Sequence, residues 1–369
     1  MPDLGPPEDR SATADVLERI RRHRFAEIRG GRTIDPQTGQ EGIADLGDDA
    51  WRVRQLAIRD LVRLGDAAAA ELPAHLRDED SHVGHVAAAV LGILKAEAAV
   101  QALEARLEED PDPVVRSQAA LSLGQMGLAH VGERLTARLG LELDPDVLHR
   151  IELAISQTRD GGLSTEVADA YAGLDERMFR TVEVGRPAVD FELSDTDGHP
   201  WRLTDLLVIG PVVLIWVFAD WCPVCHHEFR DLIDLRRKFE SSGIAVTTIE
   251  CHDRFRCRVM TGQEQPPSYR GGGLASVQPQ VGYRDRIWWP HLADPAGAVG
   301  AAYGVDPLEY VVHAEWINRP STFVIDQGGI VRLAYRGTFW GDRPSIEETL
   351  AMVVTGRYEY EHPKRLRLA

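Results

Sequence analysis

Val217-Phe218-Ala219-Asp220-Trp221-Cys222-Pro223-Val224-Cys225 is the stretch whose reading decides the fold. An apolar run, Val212 to Phe218, leads into it, and a polar, helix-compatible run, His226 to Phe239, leads out. Strand, turn, two cysteines separated by two residues, then helix reads as a redox dithiol. The first cysteine falls at a helix N-terminus, where unpaired backbone N–H groups and the helix dipole stabilise a thiolate. The second falls one turn in, close enough to close a small disulfide ring. The thiolate is the nucleophile, and such positions lower a thiol pKa from about 8.5 to about 3.5–7.5.

The remaining composition narrows the setting. A chain of 369 residues holds about two domains, each able to bury its own core. Apolar content of 44% and charged content of 27% fit an ordinary globular protein. No apolar run reaches the length of a membrane span, and the acidic, Pro-rich Met1–Asp9 lacks the features of a secretory signal. The expectation is a cytoplasmic protein. A net charge of −17 argues against nucleic-acid and anionic-membrane partners. The four cysteines, Cys222, Cys225, Cys251 and Cys257, fall within 36 positions of one another. Such clustering favours a redox or metal site over a disulfide framework.

Upstream of the dithiol the chain is helical and repetitive. Ala12 to Ile28 reads as an amphipathic helix, and Arg32 to Asp49 as a loop. Helix starts then recur at Asp49-Ala50-Trp51, Asp80-Ser81-His82, Asp112-Pro113-Val114 and Asp144-Pro145-Asp146, a period of 30–33 residues. Asp caps each first helix, Pro suits its first turn, and Ala lets neighbouring helices approach. A period of this size implies a solenoid. These residues resemble HEAT-type repeats of the short Asp-Pro-x-Val-Arg-x-x-Ala kind, with Gly84 in the second copy and His149 in the fourth where Arg is usual. The concave face of such a stack could hold a protein partner, or the stack could serve as a packing module.

Downstream, Val184–Leu193 and Trp201–Leu203 read as a hairpin, Val212–Phe218 and Ile244–Glu250 as parallel strands around a helix. Residues 251–285 read as irregular. Ser321–Asp326 and Ile330–Tyr335 read as an antiparallel pair, and Ser345–Thr355 as the last helix. The expected architecture is multidomain: an all-α solenoid followed by an α/β domain. Its segments are a tail and helix at 1–44, repeats at 45–160, a linker at 161–183, the α/β domain at 184–356 and a charged tail at 357–369.

Val184–Leu193, Trp221–Cys225, Ala302-Tyr303-Gly304-Val305 and Arg319–Asp326 together resemble the thioredoxin-like redoxins, nearest the thiol–disulfide oxidoreductases of the cytochrome-maturation type. The resemblance implies an enzyme with Cys222 as attacking thiol, Cys225 as resolving thiol and Pro320 as a cis-proline facing substrate. It implies a dithiol/disulfide centre with no other cofactor, served by a thiol reductant or partner reductase. Two departures stand out. The buried acid six residues before the first cysteine is Trp216 here. The Pro and Thr/Ser of the peroxiredoxin signature are replaced by Leu214 and Ala219. Ile249-Glu250-Cys251-His252 and Phe339-Trp340 are also similar to stretches of deiodinase-like redoxins.

Further candidates follow from topology. Parallel strands end at one sheet edge, where α/β folds place function, so Glu250, Cys251 and His252 are candidates to approach Cys222. Glu250 or His252 could shuttle a proton in place of the absent acid. Trp221 and Pro223 flank the attacking thiol, and Arg319 could hold an anionic group. If a metal is bound, the four thiols are its soft donors. The competing functional readings are a redox-regulated scaffold and a soft-metal or organometal handler.

Overall fold

The computed structural model describes residues 11–22, 27–29, 32–34, 41–43, 50–264, 283, 286–305, 307–310, 315–337 and 341–361. The chain divides into two compact units. One holds the helices α1 (Ala12–Arg22), α2 (Ala50–Leu64), α3 (Asp66–Glu71), α4 (Ser81–Ile93), α5 (Val100–Glu109), α6 (Pro113–Met126), α7 (Ala129–Leu139), α8 (Pro145–Arg159) and α9 (Thr165–Ala172). The other holds the short strands β1 (Glu27–Arg29), β2 (Arg32–Ile34) and β3 (Glu41–Ile43), and everything described from Asp175 onward.

From Asp80 onward the repeat pattern read from the sequence is built as expected, while Asp49, the expected cap of the first copy, lies outside the described residues. The side chains of Asp80, Asp112 and Asp144 accept hydrogen bonds from the backbone N–H groups of His82 (2.9 Å), Val114 (2.9 Å) and Asp146 (3.0 Å). Each such cap contributes about 1 kcal/mol. Pro113 and Pro145 occupy the first helical turn. The first helices of successive repeats pack face to face, α4 on α6 and α6 on α8. Small residues set that spacing: a Cβ on Gly124 would lie 2.6 Å from the Ala154 Cα. His85 is a satisfied core residue, 2.7 Å from the Gln118 amide oxygen.

The α/β unit adds β4 (Glu192–Asp195), β5 (Pro200–Arg202), α10 (Leu203–Ile209), β6 (Val212–Trp216), α11 (Pro223–Asp234), α12 (Arg236–Ser241), β7 (Ala245–Glu250), α13 (Arg254–Met260), β8 (His291–Ala293), α14 (Ala298–Tyr303), β9 (Pro307–Tyr310), β10 (Glu315–Asn318), β11 (Ser321–Ile325), β12 (Val331–Arg336) and α15 (Ile346–Thr355). Among the described residues its main sheet runs β12-β11-β6-β7-β8-β4-β5, with β6, β7 and β8 parallel. Every residue of β6 and β7 is buried, as a sheet covered on both faces requires. One face packs α11 and α15 over Val213, Ile215 and Val246; the other packs Trp216, Tyr303 and Phe323.

Several expectations need correction. The segment read as a loop after Arg32 carries β2 and β3, and the expected first helix stops at Arg22, with β1 following at Glu27. Together with β9 and β10 these strands form a second sheet, ordered β10-β9-β1-β2-β3. The stretch after Cys251 is partly ordered: Arg254–Met260 forms α13, capped by the Asp253 side chain on the Arg256 N–H at 3.0 Å. Residues 265–282, 284 and 285 of that stretch, and Phe339-Trp340, lie outside the described residues. Among the described residues no helix is long and apolar enough to cross a membrane.

Candidate active site

Strand β6 delivers the chain to the C-terminal edge of the sheet, and the turn Val217–Trp221 hands it to α11. Cys222 is the N-cap of α11 and Pro223 its first residue, with the extended backbone a cap needs. Both thiols are free and buried. Trp221 and Pro223 are only half-buried and form the rim above them, with Trp221 edge-on to Phe218 at 5.8 Å.

The two sulfurs share a hydrogen bond, and the groups that favour a thiolate face Cys225. Burial would raise the Cys225 pKa. The hydrogen bond from Cys222, the Arg343 cation and the N–H groups of Phe218 and Ala219 outweigh it and pull the thiol down to about 5. The Phe218 N–H donates to the Cys225 sulfur at 3.3 Å, and Arg343 Nη2 donates to it at 3.1 Å. Burial and the neighbouring Cys225 charge push Cys222 well above its ordinary value. Helix position alone points to Cys222 as the low-pKa thiol. The hydrogen bond from Cys222 and the buried arginine pull the other way, toward a thiolate at Cys225.

Arg343 precedes the Ser345 cap of α15, whose capping box with Glu348 fixes the start of that helix. Its guanidinium also donates to the Trp216 carbonyl at 2.7 Å and pairs with Glu228 at 2.6 Å. Glu228 lies one turn beyond Cys225 on α11. Burial pushes its carboxyl up to about 8, against the pull of Arg343 and helped by the Cys225 charge. The carboxyl absent at Trp216 therefore enters from the other side of the dithiol.

Glu250, Cys251 and His252 do lie at the sheet edge beside β6, since the Val217 N–H donates to the Ile249 carbonyl at 2.8 Å. Glu250 is engaged elsewhere. His252 Nδ1 lies 2.6 Å from one of its oxygens and His291 Nε2 lies 3.1 Å from the other. Burial would raise this carboxyl, but the two histidines hold it well below the usual range. The four thiols do not form one donor set: Cys257 converges with Glu250 and His291 instead.

Pro320 is not cis, for no cis peptide bond occurs among the described residues. The trans form is the favoured one, by about 0.5–1 kcal/mol. The Pro320 carbonyl is also taken, accepting the Gly337 N–H at 2.7 Å. Only glycine fits there: a Cβ on Gly337 would meet the Asp342 carbonyl oxygen at 2.1 Å. Arg319 is buried rather than a surface residue.

Residues 184–334 match the AhpC/TSA family, and residues 43–124 match HEAT repeats. The thiol:disulfide interchange protein DsbE of Allochromatium vinosum is 29% identical over 43% of this chain and 70% of its own length. The thiol-disulfide oxidoreductase ResA of Geobacillus thermodenitrificans is 27% identical over 42% of this chain and 71% of its own. A Mycobacterium tuberculosis protein whose name assigns it to the peroxiredoxins is 31% identical, over 34% of this chain and 67% of its own. The chain belongs to the AhpC/TSA family. This AhpC/TSA member carries HEAT repeats ahead of its redoxin fold. Its buried network also includes residues that sequence reasoning missed. Arg343 is 118 residues from Cys225, beyond any motif spacing. Glu228 had a signal, an acid one helical turn after Cys225 on the face that carries it. Asp220, directly before Trp221, is paired with Arg256 of α13 in a buried ion pair. His226 Nε2 donates to the Asp220 carbonyl at 2.6 Å, which fixes the turn from behind.

Proposed function

We propose that this chain is a thiol–disulfide oxidoreductase acting on a disulfide of a small molecule or protein, with the helical repeats recruiting a protein partner. The observation that carries the reading is Arg343 held between the Cys225 sulfur and the Glu228 carboxyl. An inert buried thiol pair has no use for a buried cation. The names of the DsbE and ResA relatives support the same chemistry.

At rest Cys222 and Glu228 hold protons while Cys225 is the thiolate. The Cys222 proton passes to Cys225 along their shared hydrogen bond. The Cys222 thiolate then attacks a substrate disulfide: a new S–S bond forms, the old one breaks, and the departing thiolate takes the proton from Cys225. Cys225, again a thiolate, attacks the Cys222 sulfur and expels the second thiolate. Once its charge is gone, Glu228 is released to ionise against Arg343, and its proton balances that second thiolate. Two electrons and two protons leave the site, and a thiol reductant or partner reductase restores both.

Cys225→Ser removes the resolving step. With a small aromatic disulfide it should accumulate a mixed disulfide at Cys222, read by intact mass. Turnover that survives Cys222→Ser would overturn the reading.

A further inference from the structure

A second constellation lies at the same sheet edge but is not joined to the dithiol chemistry above. Glu250 is the last residue of β7, His291 the first of β8, and Cys257 lies within α13. One donor atom from each comes within 4.8 Å of the other two, and all three side chains are buried. We propose that Glu250, Cys257 and His291 bind one zinc-class divalent ion.

The donor set has the right chemistry. Thiolate, imidazole and carboxylate are the ligands of zinc, at bonds of about 2.0–2.3 Å. Tetrahedral bonds of that length put ligand atoms about 3.3–3.8 Å apart, so the widest pair needs to close by at most about 1.0–1.5 Å. The charge balances as well. A dication with one carboxylate and one thiolate is neutral, which is what a buried site tolerates. Binding displaces the Cys257 thiol proton to solvent.

The surroundings resemble an outer ligand shell. The Trp289 indole N–H donates to Thr248 Oγ1 at 3.0 Å, and Thr248 Oγ1 lies 2.8 Å from His291 Nδ1. In the metal-free chain His291 Nε2 donates to Glu250; on binding, the proton resides on Nδ1, which donates to Thr248 Oγ1, and Nε2 takes the metal. His252 braces the second Glu250 oxygen. Such second-position partners fix ligand tautomer and orientation. Strands β7 and β8 are paired in register at Thr248 and His291, so two of the three ligands stand on rigid backbone. Three protein donors leave a fourth position open, as in zinc sites that admit water or substrate.

The test uses the full chain, reduced and stripped of metal, in a Cys222→Ser/Cys225→Ser background that removes the dithiol as a competing ligand. Cobalt(II) titration should give one equivalent bound, with the thiolate-to-cobalt charge-transfer band. Zinc should displace the cobalt and raise the thermal midpoint. Adding Cys257→Ser should abolish the band, while adding Cys251→Ser should leave it. Absence of both the band and a zinc-dependent rise in midpoint in the parent protein overturns the proposal. So does a band that survives Cys257→Ser. Should the Cys257→Ser protein fail to fold, Glu250→Gln and His291→Gln carry the same test, each expected to weaken zinc binding at least tenfold.

Discussion

The guanidinium of Arg343 donates to the Cys225 sulfur across 3.1 Å although the two residues are 118 positions apart. That bond adds to the hydrogen bond from Cys222 in favouring a thiolate at Cys225. Arg343→Met should remove it and raise the Cys225 pKa by about 1–2 units, the worth of one charged hydrogen bond. The thiolate absorbance followed against pH measures this. An unmoved midpoint would show that backbone N–H groups alone hold the thiolate. Arg343→Lys should behave almost as badly, because a point charge cannot reach sulfur, carboxyl and carbonyl at once.

Glu228 gives the second prediction. Its carboxyl holds a proton up to about 8. The rate of reduction of a model disulfide should therefore fall above that pH, as the proton for the second departing thiolate is lost. Glu228→Gln should abolish this fall and lower the rate below it, by up to about 100-fold. Stability moves with the same group. The unfolded carboxyl ionises near 4.5 and the folded one near 8, so the folded chain binds more protons between them. Glu228 thus contributes a loss of stability as pH rises through that window. Cys225 runs the opposite way, from about 5 folded to 9.0 unfolded. Locking the dithiol as a disulfide removes the Cys225 part and, by removing the charge that helps keep Glu228 protonated, should also shrink the Glu228 slope in urea unfolding.

The elements that were legible in the sequence are those whose own residues suffice. Capping Asp and Pro recur at fixed spacing, and β6 and β7 are continuous apolar runs. Strands β1, β2 and β3 are each three residues long, too short for any period to register, and exist through pairing with one another and with β9. At the site, Cys222 and Cys225 announce themselves by spacing. Arg343 does not, because it reaches them only when α15 packs against α11. Glu250 was visible, but its partner His291 lies on a strand of only three residues.

The repeat stack offers a test independent of the dithiol. Gly124→Ala places a methyl group 2.6 Å from the Ala154 Cα, and backbone cannot yield as a flexible side chain does. The helices α6 and α8 must separate, at a cost of about 1–3 kcal/mol. Faster hydrogen exchange across both helices, with the Cys222–Cys225 chemistry unchanged, is expected. Wild-type exchange in α6 and α8 would refute the close packing.

Acid should loosen the same stack through Glu142. Burial would raise its carboxyl, but Arg116, the N–H groups of Asp144 and Leu143, and Arg138 together bring it down to about 2. Arg116 meets it with two bonds of 3.1 Å, and Arg138 adds one of 2.9 Å. A depressed carboxyl contributes stability that is complete above its unfolded value of 4.5 and is lost as pH falls toward 2. Solvent reaches part of this cluster, so the contribution is on the order of 1 kcal/mol. Hydrogen exchange in α7 and α8 should therefore accelerate on acidification through that window. Glu142→Gln should exchange faster at neutral pH and show less of the acid response. If the variant retains the full acid response, some other carboxylate holds these helices together.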